Sequence, residues 1–300
     1  MDVRVDRLDR KTWERFCDRA HAPLQQRWAY GETLQRMGRT VVRCAIYQDQ
    51  TPIALAQVLT RHMVCRIALT TRGPVWVGEV SQVQRNKALR GLRTTLHTAG
   101  HAFLILTPDD DVPPPFGHAI MTPATTARVA LTPDMRGALH GKWRNRLVKA
   151  EGRDLKIARV KQRGSDHDWL FHQEHRQRLE RGYRNLPPVF AQTWLGTPHA
   201  HHLTLVAKDR APIAGMMFLC HGTTATYHLG WTSAEGRATS AHTLTLWQAM
   251  EQLRADGVRF LDLGLLDTER APGLARFKLG TGAAAHRLGA TTLSRCSSSF

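Results

Sequence analysis

The sequence predicts an α/β protein with mixed sheets, built from two copies of one unit. Short β-rich runs separated by turn residues are followed by a long helical run and a final strand. Thr40–Tyr47 and Ile53–Thr60 flank the polar turn at 48–51, and Val64–Leu69 is a third strand. Ser81–Thr98 has the apolar spacing of a helix, Gly100 ends it, and Ala102–Leu106 is again a strand. The same series returns as Leu203–Lys208, Ile213–Cys220, Thr224–Trp231, the helix Ser240–Ala255 and a strand from Val258 to Leu263. Finally, residues recur in order at nearly one offset. Asp49, Pro52, Ile53 and Ala54 match Asp209, Pro212, Ile213 and Ala214, while Gly100, Phe103, Leu104 and Leu106 match Gly257, Phe260, Leu261 and Leu263. Self-similarity of this kind is the mark of a duplicated unit, and strands followed by a helix and a strand make a mixed α/β sheet. The expected boundaries are 1–120 and 121–300.

The remaining elements follow in order. Leu8–Ala20 is amphipathic and Pro23 breaks it, and a second helix after Leu24 ends near Gly38. Asp111–Gly117, with three consecutive prolines, is a stiff extended connector. A short strand, Arg128–Leu131, precedes a helix capped by Thr132 with Pro133 in its first turn and running to about Gly152. Leu155–Val160 is a strand. Ser165–Arg181, with Asp166 and Asp168 near its start, and a segment from Pro188 to Trp194 are helices.

Composition narrows the function. Three hundred residues with 42% apolar content can bury a substantial core without staples. No apolar run is long enough to span a bilayer. The charged start MDVRVDRLDR lacks the apolar region of a secretory signal. Cys17, Cys44, Cys65, Cys220 and Cys296 form no paired motif, so reduced thiols and a cytoplasmic location are expected. The formal net charge of +17 favours an anionic partner, or reflects a solubility feature alone. Between 134 and 163 there are ten Lys or Arg against three acidic residues. There Met135, Leu139, Trp143 and Leu147 form an apolar stripe at four-residue spacing. The stripe can bury while the charged side tracks an RNA backbone or stays merely solvated.

The stretch from Gly257 to Gly282 is either a candidate site or simply a strand, a turn and a solvated Lys. Asp262 lies at the end of a buried strand, Asp267 lies in the loop beyond it, and Phe277-Lys278 follows a Pro-Gly turn. An ammonium group can stabilise an oxyanion or hold a phosphate, and a neighbouring aromatic can exclude water. Gly236, Arg237, Thr239 and Ser240 precede a helix whose free N–H groups suit a phosphate, or are capped in the ordinary way. The histidines His172, His175, His199, His201 and His202 complete no metal pattern, so no metal is expected. No P-loop and no nucleophile elbow is present.

Four segments together resemble the Fem-type (FemABX-like) transferases, whose units have the acyl-CoA N-acyltransferase (GNAT) fold. These are Leu24–Glu32, with Gln26, Trp28 and Tyr30; Arg144–Glu151, with Arg144, Asn145 and Lys149; Gly236–Trp247; and Asp262–Lys278. The resemblance spans nearly the whole chain. It implies two tandem GNAT-like units and transfer of an acyl or aminoacyl group to an amine. It also implies an aminoacyl-tRNA or acyl-CoA donor, no permanently bound cofactor, and a site between the units near Lys278. Phe277 and Lys278 take the family's catalytic positions. Asp262 or Asp267 accepts the proton, or the substrate assists itself. Gln26, Trp28, Tyr30, Arg144, Asn145, Lys149, Arg237, Thr239 and Ser240 contact substrate or donor. The segment 270–275 fits R-x-x-G-x-A, but it lies one strand too late for the acetyl-CoA loop. Two departures argue against a cell-wall precursor as acceptor: Glu32 stands where a Lys is usual, and Thr107-Pro108 stands where Asp-Pro is common. The alternative is a non-catalytic tRNA- or phosphate-binding module on a degenerate transferase scaffold.

Overall fold

A computed structural model describes residues 1–160, 167–183, 185–208 and 211–297. Asp209 of the repeat, and Ser165 and Asp166 of the expected helix start, lie outside the described residues. The chain divides into two compact units: Met1–Thr125 with the described residues from His286 on, and Thr126–Ala285.

In the first unit the order is β1 (Asp2–Val5), α1 (Arg10–Arg19), a 3-10 turn at Leu24–Gln26, α2 (Trp28–Arg36), β2 (Thr40–Gln48), β3 (Thr51–His62), β4 (Arg66–Thr71), β5 (Val75–Trp76), α3 (Gln82–Thr98), β6 (Phe103–Thr107) and β7 (His118–Met121). The second unit carries β8 (Thr125–Ala130), α4 (Gly141–Glu151), β9 (Lys156–Arg159), α5 (Asp168–Arg181), α6 (Pro188–Leu195), β10 (His201–Lys208), β11 (Pro212–His221), β12 (Thr224–Thr232), α7 (Ala234–Ala238), α8 (Ala241–Ala255), β13 (Phe260–Leu265), α9 (Pro272–Leu279) and β14 (Ala284–Arg287). The chain then ends in β15 (Thr291–Arg295). The first sheet runs β1-β2-β3-β4-β6-β15-β7, with β5 also on β3, and the second β14-β8-β13-β12-β11-β10-β9. The expected boundaries keep β15 with the second unit, but this strand pairs antiparallel with β6 through Leu293↔Ile105.

Each sheet holds a parallel pair, β4 with β6 and β12 with β13. A long helix makes each crossover, as a parallel connection requires. The apolar face of α3 buries Leu89, Leu92 and Leu96 against Ile46, Val58, Leu104 and Leu106. A buried leucine of this kind stabilises by roughly 1.5–3 kcal/mol. In the second unit, α8 buries Leu244, Leu246, Trp247, Met250 and Leu253 against Leu205, Phe218 and Leu261. The duplication is visible in the helix ends. Gly100 and Gly257 both adopt left-handed φ, +84° and +85°. The residues after them, His101 and Val258, each donate their N–H to the carbonyl five back, at 3.0 and 2.9 Å.

One helix starts later than expected. Residues 132–140 form turns, and α4 begins at Gly141 with His140 at its N-cap. Thr132 therefore caps no helix. Gly137 and Gly141 weaken helix propagation, and His140 N–H bonds Gly280 O at 3.0 Å. The apolar stripe still buries, because turns bring Met135 and Leu139 inward as well as a helix would.

Candidate active site in the second unit

The parallel pair in the second unit opens. β12 and β13 register only at Thr224↔Phe260, Ala225↔Leu261 and Thr226↔Asp262, and then part. Both strands are irregular where they separate. The β11–β12 register shifts between Met217 and Phe218, opposite Leu229 and Tyr227, and the β13–β8 register shifts between Asp262 and Leu265. Bulges of this kind end pairing and re-aim side chains beside sites. Gly264, at φ +78°, makes the second shift possible. Its N–H donates to Asp262 Oδ1 at 2.7 Å.

Lys278, on α9, reaches this bulge. It is buried, 7% exposed, and its Nζ donates to Leu265 O at 2.8 Å. Burial pulls its pKa down from the ordinary 10.5 to about 8, and the charge of Asp262 partly opposes the fall. Asp262, also buried, lies near enough for its charge to act on the lysine. Phe277 lies beside His242 at a ring separation of 4.5 Å, and Trp143 is at 6.1 Å from it. Sequence spacing assigns Trp143 only to a core stripe and does not single out His242, because neither belongs to a motif with a chemical signature. α8 starts without a side-chain cap, its N-cap Ser240 held at φ +59°.

The first unit is closed at the equivalent place. β4 and β6 stay paired from Ile67↔Phe103 through Thr71↔Thr107. The N-terminus of α3 is satisfied by a capping box between Ser81 and Gln84. Of the duplicated pair, the second unit alone has the parted strands and the uncapped crossover helix.

The other expected site residues fall in several places. Asp267 is exposed, and its carboxylate accepts from the N–H groups of Glu269 at 3.2 Å and Arg270 at 2.7 Å, a turn cap. Arg237 is exposed and donates to Thr232 O at 3.0 Å. The Thr239 hydroxyl donates to Glu235 O at 2.9 Å. Gly236 is required by packing, since a Cβ there would lie 2.3 Å from Ile213 O. Arg144 donates to Gly137 O and Leu139 O, both at 3.0 Å, so it also holds the turn before α4. Asn145 and Lys149 face solvent on that helix.

In the first unit Gln26 is fully buried. Its amide donates to Thr71 O at 2.8 Å and accepts from Gln57 N at 2.7 Å, tying the 3-10 turn to the sheet. Trp28 and Tyr30 are half-buried beside it, and Arg43 stacks over Trp28 at 3.8 Å.

Among the described residues, no cluster of three or more His, Cys, Asp or Glu could hold a metal ion. No helix there is long and apolar enough to cross a membrane. The five cysteines are free thiols.

The family described as acetyltransferase (GNAT) domain matches residues 141–286. The match covers most of the second unit, which carries the acyltransferase domain of this chain. Its two units share the two-unit fold of a solved tandem GNAT structure. The solved structure of FemX is similar over 96% of both chains, at 13% identity and a TM-score of 0.76. A tandem GNAT protein from the clavulanic acid biosynthesis pathway is similar over the full length of both chains, at 9% identity and a TM-score of 0.57. The C-terminal domain (DUF2156) of a putative lysylphosphatidylglycerol synthetase from Agrobacterium fabrum is similar over 96% of this chain and 93% of that one, at 15% identity and a TM-score of 0.56. At such identities the likeness is one of fold. No curated protein matches the chain by sequence.

Proposed function

We propose that this acyltransferase moves an aminoacyl group from aminoacyl-tRNA to an amine, with the reacting carbonyl at the opening between β12 and β13. The observation that carries the reading is Lys278, a buried ammonium anchored on Leu265 O where the strands part. The amine nitrogen forms a bond to the ester carbonyl carbon. Negative charge then gathers on the carbonyl oxygen, and the Lys278 ammonium stabilises it in a poorly hydrated place where that interaction is strong. The C–O bond to the tRNA ribose breaks as the amide forms. The amine proton passes to Asp262, or directly to the departing ribose oxygen. Phe277, half-buried next to Lys278, excludes water that would hydrolyse the ester.

The charge favours a tRNA donor. Lys142, Arg146 and Lys149 face solvent on α4, while Trp143 and Leu147 fix the other side of the helix in the core. Such a face suits a phosphate backbone. A second reading, acyl-CoA as donor, is favoured by the N-terminus of α8, which has no side-chain cap and whose dipole suits a pyrophosphate. The segment 270–275 supports it less, because it leads into α9 and not α8. A passive binding module is disfavoured, since it gains nothing from burying an ammonium.

A donor screen tests the proposal. Purified protein is given a radiolabelled aminoacyl-tRNA pool or an acyl-CoA panel, with cell extract as acceptor. Transfer from charged tRNA that Lys278→Ala abolishes supports the reading. Transfer from acyl-CoA alone, or activity retained in the variant, removes it.

A further inference from the structure

Two polar atoms beside Phe277 have nothing to bond. Trp143 Nε1 is buried, its residue 4% exposed, and it has no hydrogen-bond partner. The same is true of the buried His242 Nδ1. The indole packs against the end of α9 so closely that a Cβ at Gly280 would come within 2.6 Å of Cδ1. The imidazole ring is 4.5 Å from Phe277, and Lys278 is the next residue. Buried polar groups in native proteins are nearly always paired, so two orphans flanking one ring point to an absent partner. Their chemistry defines it. An indole N–H only donates, so its partner must accept. His242 is neutral at physiological pH: burial, with the positive charges of Arg181 and Arg237, brings its pKa down to about 4. A neutral imidazole offers a lone pair to a donor. A plain acyl group such as acetyl supplies an acceptor and no donor.

We propose that Trp143 and His242 form, around Phe277, a subsite that selects α-aminoacyl groups over unsubstituted acyl groups. The Trp143 N–H bonds an acyl-side oxygen and His242 Nδ1 accepts from the α-amine. The subsite rests on the donor reading above and adds to it the residues that read the transferred group.

The test uses the full-length protein and two small probes. Puromycin is an aminoacyl-nucleoside amide with a free α-amine, and its counterpart lacks only that amine. Calorimetry should show the wild type binding puromycin about tenfold more tightly, the worth of one hydrogen bond. His242→Leu should bring the two affinities within about threefold of each other. Trp143→Phe should weaken both probes alike and keep their ratio, which general damage to the fold would not do. The subsite is overturned if the wild type binds the two equally, if it binds neither, or if His242→Leu keeps the ratio. The two readings separate cleanly. Transfer from charged tRNA without discrimination in binding removes the subsite and keeps the donor. Discrimination without transfer from any charged tRNA removes the donor reading and keeps the subsite.

Discussion

Replacing Lys278 with Met should abolish transfer and at the same time stabilise the protein at neutral pH. The lysine is held with a pKa of about 8 against 10.5. That gap of about 2.5 units is a charge penalty of about 3 kcal/mol at pH 7, at 1.36 kcal/mol per unit. Methionine keeps most of the volume and carries no charge. What it loses is the hydrogen bond to Leu265 O, worth about 1 kcal/mol net. The balance favours the variant by about 2 kcal/mol. The folded pKa lies below the unfolded one, so between pH 8 and 10.5 the unfolded chain holds more protons. Wild-type stability therefore rises through that window, and the Met variant lacks this rise. Urea unfolding of both proteins at pH 7 and at pH 10.5 reads the difference. The variant should lead at pH 7 and lose its lead at pH 10.5. A variant less stable at pH 7 by more than 1 kcal/mol, or a lead that ignores pH, would refute the reasoning.

Three further outcomes follow from the same geometry. Asp262→Asn keeps an acceptor for Gly264 N–H but removes the charge that holds the Lys278 pKa up, so the alkaline limb of the transfer profile should move to lower pH. An unmoved limb would mean that the lysine does not act as its ammonium form. Gly264→Ala meets no atom closer than Lys278 Nζ at 3.8 Å, yet needs a left-handed residue, so it should cost about 1–2 kcal/mol in urea unfolding and slow transfer. Replacing Lys142, Arg146 and Lys149 together with Ala should flatten the salt dependence of tRNA binding, by about 0.7–0.9 in slope for each phosphate no longer neutralised, with little change in melting temperature. An unchanged slope would move the tRNA interface elsewhere.

Much of the fold is legible in the sequence because it rests on local signals. Gly100 and Gly257 end their helices as glycines with positive φ do, and the repeated order of strands and helix implies the two sheets. Pairing over long sequence distances is not legible. β1, β7, β14 and β15 are short, and their place depends on partners far away in the chain, as Leu293 on Ile105 shows. The start of α4 is hidden because Met135 and Leu139 satisfy a helical period from within turns. At the site, Asp262, Phe277 and Lys278 stand out in one contiguous stretch. Asp267 looks equivalent to Asp262 in sequence, and only the bulge at Gly264 separates a buried carboxylate from a turn cap. Gln26 lies in a suggestive motif, but its amide is consumed by Thr71 and Gln57, two partners that no local pattern announces. His242 and Trp143 become neighbours only when α4, α8 and α9 pack.

The difference between the two copies is the claim most in need of a direct measurement. Hydrogen exchange with and without aminoacyl-tRNA provides it. Donor binding should protect amides in segments 227–244 and 262–280, where the strands part and the helix is uncapped, and leave segments 66–71, 81–85 and 103–107 unchanged. Protection confined to those closed first-unit segments, with 227–280 unaffected, would contradict the placement of the donor.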